Sequence, residues 1–444
     1  MVPAGTRASS LPSQRRFGYG RPMQPLRSRW PAGLSGLVVL LAAATTLAAP
    51  AAEDWKYEAH LITVGAGSSL VERLGHSWLT VGRVRPGRLE NVVYDLGRPE
   101  SDASLLDFLG GRTTSRVLRA GTVTRALQPF MAGNRRVEEQ RLALRPSELK
   151  RLRDALVAEQ QPDRQTYTPH PRGETSATRA RDLLDRATGG ALRRLCGGWG
   201  SAAWGAPGKG LGSSARELLR QELAGRPDGE LVLDLFGGRT LDRRLDAYEA
   251  LFLPRLLRQV LTEVKRDGAP LADAPRPVHR GQPLSREVLR PASKLGWTWS
   301  AALVVLGLIG LWRLPGSRLA GVALLAGPVT LGAIGVVLLL AALRASTPEA
   351  RFNELLLSFL ATDLLLLPVA WRWLRGRASA GKPLLGYAIA RVSLTVLVLV
   401  GHATGLLYQQ PRALLWPGLI ASILLLGLVL RVRATRRELP SAER

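Results

Sequence analysis

Long apolar runs in the last third of the chain constrain its fold more than any other feature. An α-helix needs about 17–25 predominantly apolar residues to cross a bilayer. Runs of roughly that length occur at Trp297–Trp312, which is the shortest, and at Leu319–Leu343, Leu355–Trp371, Leu384–Leu406 and Leu415–Leu430. The sequence therefore predicts an all-α membrane domain of about five transmembrane helices within residues 296–444, ending in a basic tail.

The charges between these runs indicate how the chain crosses the membrane. Basic residues cluster after the first, third and fifth runs, at Arg313, Arg318, Arg372, Arg375, Arg377, Lys382, Arg431, Arg433, Arg436 and Arg437. The loops after the second and fourth runs carry fewer, and Glu349 and Glu354 accompany the first of them. Because loops rich in Lys and Arg stay in the cytoplasm, the basic set is predicted to be cytoplasmic and the domain at 53–295 to be exported.

The N-terminal region, residues 1–52, agrees with that topology. It is polar and basic at first, and an apolar run at 34–49 follows, ending in an A-x-A pattern at 49–51. Such a run is typical of a secretory signal peptide, and without cleavage it would be an N-terminal anchor. The preceding basic stretch is long for a signal, so Met23 is an alternative start to Met1.

The formal net charge of +26 raises the question of nucleic-acid binding. The basic residues flank apolar runs rather than forming stripes with interleaved aromatic residues, so no nucleic-acid partner is predicted. Cys196 is the only cysteine, which excludes an intrachain disulfide and a cysteine-based metal cage. No phosphate-binding loop and no paired His or Cys spacing for a metal occurs, so neither a metal nor another cofactor is predicted.

Between the signal and the apolar runs, residues 53–267 have the mixed pattern of an α+β domain. Apolar patterning predicts strands at 59–64, 77–81, 92–96, 115–118 and 137–144. Helical spacing and N-terminal signals predict helices at 146–159, 175–188, 213–223 and 246–260. The glycine-rich stretch 189–212 is predicted to be a loop, and the segment 268–295, rich in Pro and Ala, to be a linker to the membrane domain.

One stretch of this domain, residues 166–185, has the features of a nucleophile site. A turn-rich approach leads into a helix that is predicted to begin at Thr175 or Ser176. A nucleophile at a helix N-terminus experiences the positive end of the helix dipole, and free backbone N–H groups are available there for an oxyanion. The alternative is that Ser176 or Thr175 is only an N-cap, a position at which Ser and Thr are common.

A histidine upstream supplies the second part of a candidate catalytic pair. His76 lies between a loop and a predicted strand, and Gly75 before it leaves room for a close approach. A nucleophilic hydroxyl requires a base within hydrogen-bond reach, and that base requires an acceptor that orients it. Asp95 and Glu72 are both candidates for the acceptor. The alternative interpretation of His76 is a histidine with a purely structural role.

Asp363 and His402 are ionisable residues inside predicted membrane spans. Asp363 lies in the third run, and His402 lies near the outer end of the fourth. An intramembrane carboxylate marks a functional site by default, although it also serves to hydrogen-bond a neighbouring helix. Both interpretations of Asp363 remain open from the sequence, whereas a structural role is favoured for His402.

Several segments resemble, in the same order, the N-terminal periplasmic domain of the Lnb-type lipoprotein N-acyltransferases, a family long described only as a domain of unknown function. They are ITVGAGSSLVERLGHSWLTV, VVYDLG, VEEQRLALRPSELKRLRDAL, TSATRARDLLD and DAYEALFLPRLLRQVL, within residues 57–265. The resemblance implies an α+β papain-like fold, similar to NlpC-type hydrolases and to the permuted lecithin:retinol acyltransferase group (NlpC/LRAT-like). It also implies a multi-pass protein of the bacterial inner (cytoplasmic) membrane, with its main domain in the periplasm.

The chemistry implied by the resemblance is transfer of a fatty acyl chain, through a cysteine thioester, to the amino terminus of a lipoprotein. His76 matches the family's catalytic histidine, but Glu174-Thr175-Ser176 stands where the family has Asp-Asn-Cys. Ser176 therefore occupies the cysteine position. A serine hydroxyl stays protonated where a thiol becomes a thiolate, so it acts only if His76 takes its proton during attack, a contribution of about 10²–10⁴-fold.

These observations predict a membrane-anchored acyltransferase-like protein that acts on lipoprotein N-termini or lipid acyl chains, with membrane lipids and lipoproteins as its partners. His76 and Ser176 are the predicted catalytic residues. The predicted lining and oxyanion-binding residues are Gly75, Ser77, Thr175, Ala177 and Thr178. The alternatives are a catalytically inactive papain-like module that retains a binding cleft, and an amidase or peptidase acting on cell-wall peptides. No feature of the sequence sets the oligomeric state.

Overall fold

The computed structural model describes residues 56–85, 88–99, 104–120, 122–170, 173–197, 212–281, 298, 301–302, 318–377, 379–410 and 414–438. The predicted signal region, residues 1–52, and most of the first predicted span, Trp297–Trp312, lie outside these residues. The described chain forms a mixed α/β domain up to His279 and a helical region from Arg318 onward.

The α/β domain is organised on a seven-stranded antiparallel sheet. The described strands are β1 (Lys56–Val64), β2 (His76–Arg85), β3 (Arg88–Pro99), β4 (Ser115–Ala120), β5 (Val137–Arg141), β6 (Thr166–Tyr167), β7 (Lys265–Arg266), β8 (Ala269–Pro270) and β9 (Arg276–His279). The order across the sheet is β6-β4-β3-β2-β1-β5-β9, and β7 and β8 form a separate hairpin. Because β9 pairs with β5, the domain extends into the segment that was expected to be a linker.

The helices of this domain are α1 (Leu105–Gly110), α2 (Val123–Ala132), α3 (Pro146–Ala158), α4 (Ser176–Ala187), α5 (Ala191–Gly197), α6 (Ala215–Glu222), α7 (Pro227–Phe236) and α8 (Pro254–Glu263). The loop prediction for 189–212 is wrong at its start, where α5 lies. Leu192 and Cys196 are buried one helical turn apart in α5, and the glycines on either side of the helix hide this short pattern in the sequence.

The central strands are buried on both faces, because apolar side chains of β1 and β2 pack on either side of the sheet. Leu61 and Leu79 belong to the main core, which the helices that follow β5 complete. Ile62 and Trp78 point to the opposite face and pack in a smaller cluster with Leu127 of α2. The sheet is therefore a rigid middle layer, and the residues at the ends of its strands are held in fixed positions.

The helical region contains α9 (Arg318–Leu324), α10 (Thr330–Arg344), α11 (Pro348–Arg351), α12 (Leu367–Leu374), α13 (Lys382–Thr404) and α14 (Leu415–Glu438). A π-helical turn that contains Pro328 joins α9 to α10. Among the described residues, three helical segments are long and apolar enough to cross a membrane, Arg318–Arg344, Lys382–Thr404 and Leu415–Thr435. They coincide with the second, fourth and fifth predicted runs.

The third predicted run is broken rather than continuous. Pro348–Leu357 and Ala361–Leu374 form a pair bent by 44°, which adds a fourth span if the pair crosses as one. A break inside a membrane exposes backbone groups that need internal partners. Here the Ser358 carbonyl accepts a hydrogen bond from Arg391 Nη2 at 2.6 Å. The Arg391 side chain, which belongs to α13, thus stabilises the break.

The loops that follow α10 and α13 both contact the α/β domain. Thr347 Oγ1 donates a hydrogen bond to the Leu109 carbonyl at 2.7 Å, and Gln409 Nε2 donates to the Gly237 carbonyl at 3.0 Å. These loops follow the second and fourth predicted runs, and they lie on the side of the helices that carries the α/β domain. The charge pattern predicts the same arrangement.

Candidate active site

Thr175 and Ser176 have different roles at the start of α4. Thr175 Oγ1 accepts the N–H of Thr178 at 3.1 Å, and Thr178 Oγ1 accepts the N–H of Thr175 at 2.7 Å. These reciprocal bonds form a capping box, which satisfies two backbone donors at the helix start. The N-cap interpretation therefore applies to Thr175, and the cap does not use the Ser176 hydroxyl.

Ser176 is the first residue of α4, and the neighbouring strand holds its hydroxyl. Ser176 Oγ accepts the N–H of Ser77 at 3.2 Å, and the residue is 8% exposed. No described residue accepts a hydrogen bond from the backbone N–H of Ser176 or Ala177. These two donors lie at the positive end of the helix dipole, so they are available to a developing oxyanion.

His76 begins β2 directly after a tight turn. Gly75 in that turn has a φ of +78°, where a side chain is strained, and an added Cβ would lie 2.9 Å from the Val64 carbonyl. In the register of β1 and β2, His76 pairs with Val64, the last residue of β1. The glycine thus lets the chain reverse closely enough to place His76 at the edge of a cavity.

Asp95 of β3 orients the imidazole. His76 Nε2 donates to Asp95 Oδ1 at 2.7 Å, and the Asp95 side chain is 2% exposed, compared with 13% for His76. With Nε2 bound to the carboxylate, Nδ1 is the ring nitrogen left to accept a proton. The other candidate acceptor, Glu72, is occupied differently, because Arg135 Nη1 donates to its carboxylate at 3.2 Å.

Two aromatic rings fix the plane of the imidazole. Phe130 stacks on His76 with ring centroids 5.9 Å apart and planes 15° apart. Trp78 meets the imidazole edge-on, with centroids 6.2 Å apart and planes at 82°. Together with Asp95, these contacts restrict rotation of the ring, and the position of Nδ1 is set by the fold.

His76, Asp95 and Ser176 line one cavity of about 790 Å³. Most of its other lining residues are apolar: Val71, Leu74, Phe108, Pro129, Phe130, Tyr167, Pro169, Phe252, Leu253 and Pro254. Gly97 allows the walls to approach, since a Cβ there would lie 3.3 Å from Ser176 Cβ and 2.2 Å from the Tyr167 hydroxyl. A pocket of this size and character suits a largely apolar ligand that is oriented by a few polar groups.

The predicted site residues are brought together, with differences in detail. Gly75 and Thr175 line the cavity with His76 and Ser176, and Ser77 contacts Ser176 through its backbone. No direct hydrogen bond joins His76 to Ser176. Ala177 and Thr178 are fully buried and do not line the cavity, and Thr178 completes the helix cap instead.

Other residues considered from the sequence lie elsewhere. Asp363 is in the helical region, where it accepts a hydrogen bond from Tyr387 of α13 at 2.6 Å. Burial raises the pKa of the Cys196 thiol to about 12, so this thiol stays neutral and unreactive. A second cavity, of about 860 Å³, lies between β1 and the start of α3 and contains none of the predicted site residues. The described residues include no group of three His, Cys, Asp or Glu side chains that could hold a metal ion.

The arginines of the TSATRARDLLD segment hold α4 in place. Arg179 packs over the Tyr167 ring at 3.9 Å and pairs with Glu159 at 2.5 Å. Arg181 packs over the Tyr248 ring at 4.3 Å and donates to the Tyr248 carbonyl at 3.1 Å. This motif therefore positions the helix that carries Ser176, and neither arginine lines the cavity.

Sequence reasoning missed several cavity residues, including Phe130, Tyr167 and Gly97. Phe130 comes from a segment far from both His76 and Ser176 along the chain, so no spacing pattern connects it with them, and Tyr167 lies within residues 166–185 but belongs to none of the motifs recognised there. Of these three residues, Gly97 has the clearest sequence signal for a place in the cavity, because it follows Asp95 by two residues within YDLG. A glycine so close to a candidate acid often marks a close approach of two chain segments.

Comparisons with family models, with curated proteins and with solved structures give no match for this chain. The long apolar helices indicate a membrane protein, and the site is defined by its own geometry. It combines a hydroxyl at a helix N-terminus, an imidazole held by a buried carboxylate and two free N–H donors. Such a site has the parts required for attack of a hydroxyl on an acyl carbon.

Proposed function

We propose that the protein is a membrane-anchored acyltransferase in which Ser176 is the nucleophile and His76, oriented by Asp95, is the base. The observation that carries the proposal is the 2.7 Å bond between His76 Nε2 and the buried Asp95 carboxylate, at the cavity that Ser176 also lines. Burying a carboxylate is costly unless it is paired. A pair at a cavity wall, with one imidazole nitrogen left open, is the arrangement that general-base catalysis requires.

The reaction would proceed in two transfers. Ser176 Oγ attacks the acyl carbon as its proton passes to His76 Nδ1, and the leaving group departs with that proton, which leaves an acyl ester on Ser176. An acceptor amine then attacks the ester by the same route and restores the hydroxyl. The N–H groups of Ser176 and Ala177 would stabilise the oxyanion in both steps, and removal of one such donor typically costs about 10²–10³-fold in rate.

The apolar lining supports a fatty acyl chain as the transferred group. The resemblance to the Lnb-type lipoprotein N-acyltransferases motivates the acceptor, a lipoprotein amino terminus, and the location, with the α/β domain on the periplasmic face of a bacterial inner membrane. An enzyme that draws acyl chains from a bilayer benefits from being held at its surface. Membrane lipids and lipoproteins are therefore the proposed partners.

A catalytically inactive binding module is the second candidate. Serine stands in the position of the family's cysteine, and no direct hydrogen bond joins His76 to Ser176. Catalytic hydrogen bonds are often long before substrate binds, so this geometry is compatible with either function.

A cell-wall amidase or peptidase would use the same residues on a peptide carbonyl and would release muropeptides.

The decisive experiment measures lipoprotein N-acylation in a host that lacks its own acyltransferase. Wild type is expected to acylate, and Ser176→Ala and His76→Ala to lose activity to a similar extent because the pair acts as a unit. Acylation that survives Ser176→Ala would exclude serine catalysis. An inactive wild type with an active Ser176→Cys variant would show that the cavity binds acyl chains but has lost its nucleophile.

The proposed orientation has a separate test. Alkaline phosphatase fused after residue 295 should be active, because the preceding domain is expected to be exported, and phosphatase fused after Arg377 should be inactive. Active fusions at Arg377 would place that basic loop outside and would refute the proposed orientation.

A further inference from the structure

The segment of residues 346–349, which joins α10 to α11 and includes the first two residues of α11, contacts the α/β domain directly. We call it the 346–349 loop. Thr347 Oγ1 donates to the Leu109 carbonyl at 2.7 Å, and Ser346 Oγ donates to the Gly111 carbonyl at 2.7 Å. The Ser346 backbone N–H donates to the Gly110 carbonyl at 2.9 Å. Three successive carbonyls at the end of α1 are thus bound by one loop of the helical region, which we also call the membrane region.

These bonds matter because α1 is too short to be stable by itself. It has six residues, and an isolated helix of that length is unstable in water. The last carbonyls of any helix lack partners within the helix and need donors from elsewhere. Here the 346–349 loop supplies donors to the end of α1, so this end of the helix depends on the membrane region.

The segment that the loop holds is a wall of the candidate active-site cavity. Phe108 in α1 and Thr113 just after it both line that cavity. The same loop reaches a second wall, because Glu349 lies 3.7 Å from His170, and Pro169 next to His170 is also a lining residue. A few residues from the membrane region therefore contact two segments that shape the space around Ser176.

Attachment of the two regions does not depend on this loop alone. Asn353 Nδ2 donates to the Leu235 carbonyl at 2.5 Å, and Gln409 Nε2 donates to the Gly237 carbonyl at 3.0 Å. Leu235 and Phe236 also pack against the apolar cluster of the helical region. None of these residues lines the cavity. Loss of one hydroxyl in the 346–349 loop should consequently leave the regions joined while it loosens the cavity wall.

We infer that the 346–349 loop is a positioning element of the candidate active site, and that Thr347 sets the geometry around Ser176 through α1. The inference rests on the proposed function, since it assigns the membrane region a part in that site. The membrane region is then more than an anchor. A soluble fragment of the α/β domain would lack the donors that complete α1 and would hold the cavity wall incorrectly.

The test uses a thiol as a reporter at the nucleophile position. Full-length Cys196→Ala/Ser176→Cys protein has a single thiol, and its alkylation by iodoacetamide is followed from pH 6 to 10 in detergent, a range that brackets about pH 8.5, where a thiol ordinarily titrates. The thiolate fraction and its accessibility both depend on the surrounding geometry. Thr347→Val is then added, with Thr347→Ser as the conservative variant. Thr404→Val, which removes a hydroxyl that bonds within α13, is the matched control.

Thr347→Val should change the alkylation rate by about tenfold, because small displacements of reacting groups have effects of this order or larger, and should move the pH profile. Thr347→Ser keeps the donor and should restore the parent behaviour, and Thr404→Val should match the parent. If Thr347→Val does not fold, Ser346→Ala tests the neighbouring bond. A rate and pH profile unchanged in folded Thr347→Val, or in folded Ser346→Ala where that variant replaces it, would overturn the inference.

Alkylation does not require acyl transfer, so the two proposals fail separately. If wild type shows no lipoprotein acylation but Thr347→Val alters alkylation at position 176, the positioning role stands and the acyltransferase proposal fails. If acylation in the Ser176 protein is present and unaffected by Thr347→Val, and alkylation is unaffected as well, the positioning role fails and the acyltransferase proposal stands.

Discussion

The α/β domain and the helical region each bury a carboxylate beside a basic side chain, Asp95 with His76 in the first and Asp363 with Arg391 in the second. Asp95 and Asp363 are similarly buried, with side chains 2% and 0% exposed. The basic partners differ. Arg391 is 1% exposed, whereas His76 is 13% exposed at the wall of a cavity.

The partners of Arg391 form a closed set. Its Nε approaches both oxygens of Asp363, Nη1 donates to Thr395 Oγ1 at 3.2 Å, and Nη2 donates to the Ser358 carbonyl at 2.6 Å. Tyr387 adds a hydrogen bond to Asp363. Among the described residues, Nε, Nη1 and Nη2 of Arg391 and the Asp363 carboxylate each have a partner within this buried cluster, so the pair stabilises the broken third span.

The pair of His76 and Asp95 differs in that one nitrogen of its basic side chain is not hydrogen-bonded. Asp95 occupies Nε2, and Nδ1 has no hydrogen-bond partner among the described residues. Burial of a carboxylate beside a basic side chain therefore does not by itself indicate function. What distinguishes the two pairs is whether one nitrogen of the basic side chain remains without a partner next to a cavity.

The largest effect, on the rate of acyl transfer, is expected from replacing the carboxylate that orients His76. Asp95→Asn keeps the shape of the side chain but cannot stabilise the imidazolium that forms during attack. Acyl transfer should fall by about 10⁴-fold, the loss seen when the orienting carboxylate of a serine triad is replaced by an amide. Initial rates of lipoprotein acylation measure it, and Glu72→Gln, the other acid considered from the sequence, is the control. Equal losses in the two variants would remove the special role of Asp95.

Separating Asp363 from Arg391 should instead lower the stability of the protein. Asp363→Ala leaves Arg391 buried without its counter-charge, which should lower the free energy of unfolding by about 3–5 kcal/mol. Asp363→Leu combined with Arg391→Met removes both charges and should be far less damaging, with a residual cost of about 1–3 kcal/mol for the unpaired Ser358 carbonyl. Thermal unfolding in detergent compares the three proteins. A stable Asp363→Ala protein with impaired acyl transfer would instead assign Asp363 to function.

The smallest effect concerns α4, the helix that carries the proposed nucleophile, Ser176. Thr175→Ala removes the hydroxyl that caps α4 and should cost about 1 kcal/mol of stability. Thr175→Ser keeps the hydroxyl and should retain most of the cap. Denaturant unfolding of the full chain gives the stability difference. A Thr175→Ala protein as stable as wild type would show that the capping box contributes nothing to the stability of α4.

Much of this arrangement could be predicted from local sequence. The start of α4, the placement of His76 at the head of a strand and three of the long membrane helices all follow from patterns within one element. The choice between Asp95 and Glu72 could not be made, because it depends on the pairing of β2 with β3, which no local pattern sets. The register that places Asp95 opposite Trp78 also brings it to His76.

In the membrane region, too, local sequence does not predict contacts between distant segments. The sequence gives no signal for the role of Arg391, because one charge hardly changes the mean hydropathy of a long apolar run. Its role becomes visible only once Asp363 and the broken third span are placed against α13. The same holds for the 346–349 loop, whose partners lie more than two hundred residues away in the chain. Contacts between distant segments, rather than local patterns, decide what these residues do.

The most direct measurement of the central claim is mass spectrometry of the full-length protein after incubation with an activated fatty acyl ester. The account predicts a single acyl group on the peptide that contains Ser176, absent from Ser176→Ala and strongly reduced in His76→Ala. The adduct should be an oxygen ester, since Cys196 is buried and its thiol is neutral. Absence of any adduct on wild type, or an adduct that persists at the same level in Ser176→Ala, would contradict the account.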